Sequence, residues 1–280
     1  MLIAISKKVF IISLVLMGFS MGLSAYTIPG IPGTGTVNDP YLINNQNLLP
    51  NLSTPLSKLN KIANWVNKTG DWDGVWQSTG KHFRLMQDID GPFTNTIGTF
   101  TSSFGGTFEG NGYRINVNIS KPNERMVGLF GHAWGAVMRN LTVTGSVRGK
   151  SEVAGFVGEG GNVTLIHCTN LAKIEARDIN NVWGASVAGI AGKMWGGVTI
   201  QDCANSGDIR GSYNIGGILA DGHGQSVVIR SINIGTVRGE HKWVGGIAGR
   251  NPGNAQNIPW IFLYKWWQSY VGHCIWVGFG

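Results

Sequence analysis

The chain has 280 residues, enough for one sizeable domain with a real apolar core. Its 43 Gly and its 13% charged residues exclude a long charged helix or coiled coil, while 42% hydrophobic residues with 11 Trp exclude a disordered chain. Residues 1–25 carry Lys7 and Lys8 and no acid, so the formal charge of +7 falls to +5 once they are removed, and the remaining Lys and Arg are scattered rather than grouped. Without a basic stripe that tracks phosphates, nucleic acid is not an expected partner.

At the amino terminus, Lys7-Lys8 precede the apolar run Val9 to Leu23 and then Ser24-Ala25. This is the order of a secretory signal peptide over residues 1–25, with Leu23 standing where a small residue is preferred. The competing reading is an uncleaved membrane anchor, for which the run is short of the ~20 residues a spanning helix needs. Both readings export the rest of the chain, and the membrane enters only through this segment. Residues 26–125 form a lead-in region with the first coils. Within it Leu56, Leu59, Ile62, Ala63 and Val66 recur at helical spacing, which predicts an amphipathic helix over Leu56 to Asn67 that caps the first coil. Trp65, Trp72 and Trp76 are read as packing residues.

From 126 to 254 the sequence repeats itself. The phrase VGLFG (127–131) returns as VAGFVG (153–158), VAGIAG (187–192), IGGILA (215–220) and VGGIAG (244–249). A second phrase lies between: VMRNLTVTGSVRG, VTLIHCTNLAKIEA, VTIQDCANSGDIRG and VVIRSINIGTVRG, starting at residues 137, 163, 198 and 227. A unit of ~28 residues made only of short alternating strands cannot close a core by itself, so neighbouring units must cover it. The expected fold is therefore all-β, a right-handed parallel β-helix in which one unit makes one coil and equivalent positions sit ~4.8 Å apart. A leucine-rich solenoid lacks its L-x-x-L-x-L signature here, and propeller blades need ~40 residues.

Stacking turns single residues into ladders. Asn170, Asn205 and Asn233 share one position and are expected to hydrogen-bond along the axis; Cys168, Cys203 and Ser231 share another. Cys168 and Cys203 then become neighbours, either as small buried apolar residues or as a disulfide. With Cys274 they are too few for a disulfide framework and lack CxxC spacing, so no metal or cofactor is expected. Five Asn-x-Ser/Thr triplets, at Asn51, Asn67, Asn118, Asn140 and Asn162, are what an Asn- and Thr-rich chain produces by chance.

The VGGIAG phrase followed by V-x-x-x-x-C-x-N-x-G-x-V/I-x-G resembles the GLUG repeat, named for its Gly-Leu-any-Gly core, of large secreted and surface proteins of bacteria. GTGTVNDPYLI at 33–43, FRLMQDID at 83–90 and FGGTFEGNGYRIN at 104–116 resemble the region that leads into such arrays, so the likeness spans roughly 33 to 254. It departs from the pattern at Leu171-Ala172 and around Ile179 to Gly184. The resemblance implies an adhesin-like surface module, or a spacer beside the catalytic region of an immunoglobulin A protease-like zinc peptidase. No HExxH follows any of the histidines and GxSxG is absent, so that peptidase activity does not carry over. GSVRGKS at 145–151 has three residues between its glycines where a phosphate-binding loop needs four.

A carbohydrate-active enzyme on a β-helix would need two acids close together. Asp88 and Asp90 point one way from a strand, but Glu109, Glu152, Glu159, Asp202, Asp208 and Asp221 do not all fall at one repeat position. The binding candidates are aromatic. Trp134, Trp195 and His223 follow the Gly-rich phrase by three residues, with Gly161 in the second unit, and Trp183, Tyr213 and Trp243 precede it on the other side. Exposed flat rings suit sugar faces or a host or cell-surface protein; the competing reading is rings that stack to seal the coil. The tail, 255–280, has no repeat phrase and is read as an interruption of the array by a frameshift or truncation, the competing readings being a capping strand pair or a membrane-interface segment.

Overall fold

A computed structural model describes residues 27–45, 52–68, 76–176 and 185–250. The signal-peptide segment, Trp72, Trp183, Cys274 and the tail lie outside the described residues. Among the described residues, those from Ile31 onward belong to one compact unit. It is a parallel β-solenoid of about six turns with one short helix.

One row of the core shows how it is built. Tyr41 pairs with Phe83, Phe83 with Phe108, and the row continues through Met138, Leu165, Ile200 and Val228, every step parallel and in register. All seven side chains point inward and are buried. Alternation explains this: each short run has an apolar residue at every second position, and stacking places those positions on one inner face. A second row runs Val127, Val153, Val187, Ile215 and Val244, and a third Ile119, Val147, Ile174, Ile209 and Val237. In the first coils the core is aromatic, with ring centroids 5.4 Å apart for Tyr41 and Phe83, 5.6 Å for Phe83 and Phe104, and 4.8 Å for Phe104 and Phe130. Later coils replace the rings with Val, Ile and Ala.

The expected helix spans Pro55–Asn67. Thr54 caps it: its hydroxyl accepts from the Ser57 amide at 3.1 Å, and the Ser57 hydroxyl accepts in return from the Thr54 amide at 3.2 Å. Leu59, Ile62, Ala63 and Val66 are buried as the periodicity predicts, but Leu56 is only half-buried. Lys58 is buried instead, because its ammonium donates to both the carbonyl and the side-chain oxygen of Asn44 at 2.7 Å. Burial pushes the pKa of Lys58 down. Trp65 packs edge-on to Tyr41, which sets the helix over the first coil.

The two repeated phrases depend on each other physically. Asn170 donates to the Asn205 side-chain oxygen at 2.7 Å, and Asn205 to that of Asn233 at 2.6 Å. Each amide also donates to a carbonyl two residues on, at Ala172, Gly207 and Gly235. Against these amides lies the Gly-rich phrase of each coil. A Cβ on Gly155 would stand 2.4 Å from Asn170 Oδ1, and one on Gly189 2.4 Å from Asn205 Cγ. The glycine is thus required by the amide ladder, since any side chain there would displace it.

Candidate functional site

The residues flanking each Gly-rich phrase stack from coil to coil into columns along the axis. Before the phrase stand Met126, Glu152, Ser186, Asn214 and Trp243, in register through the paired residues next to them. Four of these are in the left-handed region, with φ of 58° at Met126, 49° at Glu152, 45° at Asn214 and 60° at Trp243. Directly after the phrase come His132, Glu159, Lys193, Asp221 and Arg250, each paired with the next. Two residues further on, the same face carries Trp134, Gly161 and Trp195 in register, with His223 of the next coil beyond them.

The six acids do not all fall at one repeat position, but two of them do. Glu159 and Asp221 do share one repeat position, on either side of Lys193. The pattern is hidden in the sequence because the residue at that position changes sign from coil to coil. Only the backbone register reveals a column of alternating charge.

The column is largely buried: His132 is 5%, Glu159 6% and Asp221 1% exposed. Glu159 Oε1 accepts a hydrogen bond from the Trp195 indole N–H at 3.0 Å, while its Oε2 has no hydrogen-bond partner. Burial is the main cause that raises the Glu159 pKa, and the nearby Glu152 carboxylate adds to it. Asp221 lies 3.3 Å from His223 Nε2 and 3.8 Å from Arg250 Nη1. Glu152 is fully buried and held by both Nε and Nη2 of Arg125 at 2.9 Å. At the first end of the column, His132 Nδ1 lies 2.5 Å from the Ser103 hydroxyl, and the Phe100 ring packs edge-on to the imidazole. Burial pushes its pKa down to about 4.

The aromatic candidates are placed differently from one another. Trp195 and His223 stack face to face, centroids 4.3 Å apart and planes 20° from parallel, and the Lys193 ammonium lies 4.5 Å from the Trp195 centroid. Trp134 leans over Gly161, where a Cβ would stand 2.7 Å from its ring. Tyr213 and Trp243 form no common platform. Tyr213 stacks on His241 at 4.5 Å, and Trp243 takes the Arg250 guanidinium at 5.6 Å. Stacking along the axis covers the faces of Trp195 and His223 against each other and leaves ring edges to solvent, with Trp195 still 40% exposed. Sequence reasoning found these rings but missed His241, Lys193 and Arg250, which complete the interactions. Spacing was the signal: each lies one coil from its partner or beside its own phrase.

Chemically, the face offers ring edges, an ammonium, a guanidinium and carboxylates that are paired or covered. The carboxyls of Glu159 and Asp221 are shielded from a substrate. Asp88 and Asp90 both engage Arg114, at 3.4 Å and 2.9 Å. Among the described residues no group of three His, Cys, Asp or Glu is placed to hold a metal ion, and no helix is long and apolar enough to cross a membrane.

The Glu159 and Trp195 contact gives a direct spectroscopic expectation. The native state holds the Glu159 proton to higher pH than the unfolded chain does, so this group's contribution to stability is present at low pH and lost as pH rises through its folded pKa. Trp195 emission, taken as the difference between the parent and a Trp195→Phe variant, should titrate with a midpoint above the usual carboxylate range. Glu159→Gln should abolish that titration; a midpoint at or below the ordinary value would contradict the burial.

An alignment 123 residues long, which covers 40% of the chain, is 32% identical to a protein of Evansella cellulosilytica named as a Gly-rich membrane protein. The match covers 12% of that protein's length, so the two share a stretch rather than an overall plan. No family model matches the chain. No solved structure matches it either.

Proposed function

We propose that this chain is a secreted or cell-surface adhesion and interaction module, a β-solenoid that presents the face after its Gly-rich phrases to a glycan or to a host or cell-surface protein. The observation that carries this reading is the contrast between rows. Scaffold rows repeat one residue type, as in Val127, Val153, Val187, Ile215 and Val244 or in the Asn ladder. The neighbouring face instead changes chemistry at every coil: over buried His132, Glu159 and Asp221 it carries half-buried Lys193 and Arg250 and exposed Trp195. A row that only stacks favours repetition, whereas a surface that recognises a partner needs a distinct pattern.

Export supports this reading through the signal-like residues 1–25, as do the resemblance to GLUG arrays and the relative named a membrane protein. Because the Trp195 ring stacks on His223 and carries the Lys193 ammonium over it, this reading favours a protein surface, which charged and aromatic groups suit, over the face of a sugar at Trp195. The test is a glycan and host-protein array probed with the exported chain. Trp195→Ala combined with Lys193→Glu should weaken a detected interaction at least ~10-fold, since central aromatic and charged residues dominate such contacts. Arg238→Ala, in a different row, should leave it unchanged. No binding by a chain whose β-structure is verified by circular dichroism would count against the proposal.

A further inference from the structure

One column outside the recognition face has a chemistry that the scaffold does not require. Asn140, His167, Asp202 and Arg230 are all left-handed, with φ of 53°, 51°, 53° and 44°, and at His167 and Asp202 the next residue's amide is turned toward the following coil. That amide finds a side-chain acceptor there. Cys168 N–H donates to Cys203 Sγ at 3.4 Å, and Cys203 N–H donates to the Ser231 hydroxyl at 3.1 Å. Ser231 shows that an oxygen serves as well as a sulfur. The acceptor role therefore does not explain why two successive coils carry thiols.

Cys203 stands directly opposite Cys168, because Ala204 pairs with Thr169 and Asn205 with Asn170. One strand spacing, ~4.8 Å, separates such positions, within the ~4.4–6.8 Å between Cα atoms that a disulfide accepts. Both residues are free thiols and fully buried in the structure. We propose that Cys168 and Cys203 are a disulfide-forming pair that straps two successive coils when the chain meets a disulfide oxidant during export.

The chemistry balances as an ordinary thiol–disulfide exchange. The Cys203 thiolate attacks a disulfide of the oxidant, low-molecular-weight or protein-borne, forms a mixed disulfide and releases one thiol. Cys168 then attacks the Cys203 sulfur and releases the second thiol. Two S–H bonds are lost, one S–S bond forms, and two electrons and two protons pass to the oxidant. The roles of the two sulfurs are interchangeable, because the burial and the mutual contact that separate their pKa values exist only once the coils have closed. Since both sulfurs are covered in the folded solenoid, the exchange belongs to folding, before the coils close.

The supply of oxidant rests on the exported location proposed above, so the test supplies its own and separates the two. The full chain is unfolded, refolded in a buffer of oxidised and reduced glutathione, alkylated at its free thiols and digested for mass spectrometry. Cys274 is an internal reference for unselective pairing. The expected result is a Cys168–Cys203 linked peptide in at least ~10-fold excess over any Cys274 pair, as the fixed geometry of a disulfide selects neighbours. Its companion readout is a melting temperature that falls on reduction in the parent chain but not in Cys203→Ser, a change that Ser231 shows the column accepts. Alkylation at both Cys168 and Cys203 after oxidative refolding, or pairing of Cys274 as often as Cys203, would overturn the proposal.

Discussion

Asn205→Ala is expected to lower folding stability by about 3 kcal/mol, the sum of buried polar groups left without partners at ~1–3 kcal/mol each. The amide makes three hydrogen bonds: it accepts from Asn170 at 2.7 Å, and donates to Gly207 O at 2.9 Å and to Asn233 Oδ1 at 2.6 Å. Its removal strands the Gly207 carbonyl in the interior and cuts the ladder at its middle rung. Asn205 is fully buried, whereas Asn233 is only half-buried and its orphaned neighbours can reach water. Asn233→Ala should therefore cost clearly less, about 1 kcal/mol. Denaturant unfolding of both variants reads the difference. Equal losses, or a parent-like midpoint for Asn205→Ala, would mean that the ladder is not what holds this row.

Acid should destabilise the solenoid well before the carboxylates as a class are protonated. His132 titrates at about 4 in the folded chain because burial disfavours the imidazolium, against 6.5 when unfolded. Between those values the unfolded state binds more protons than the native state. Stability therefore falls as pH drops from about 6.5 to about 4, by about 3 kcal/mol in all. Glu159 works in the opposite sense, because its raised pKa makes the native state the one that binds protons. His132→Phe keeps a ring against Phe100 and gives up the Ser103 contact, so it should start less stable at pH 7 and lose less on acidification. Parallel stability profiles for parent and variant across this window would exclude His132 as the source.

Much of the architecture was legible without coordinates, and the reason is physical. A solenoid writes its contacts into sequence as repetition, since each coil faces a copy of the same environment. The phrases ending at Gly158, Gly192 and Gly249, the alternating Val and Ile, and the recurrence of Asn170, Asn205 and Asn233 each announce a stacked row. The helix over Pro55–Asn67 was visible from its 3.6-residue period. Buried Lys58 was not, because its partner Asn44 lies 14 residues away and no local pattern links them.

The face proposed for recognition was legible only in part. Trp134, Trp195 and His223 could be aligned by counting from the phrase, but counting says nothing of ring orientation. The stacking of Trp195 on His223, and with it the loss of open ring faces, is decided by side-chain torsions and the ~4.8 Å rise between coils. His132, Glu159, Lys193, Asp221 and Arg250 look unrelated as letters, because the residue type at this position changes from coil to coil. Sequence thus determined the coil, its rows and its glycines, which obey local sterics and periodicity. The tertiary structure alone decided which unlike residues meet across coils, because register converts positions ~28 residues apart into neighbours whose charge and burial then act on one another.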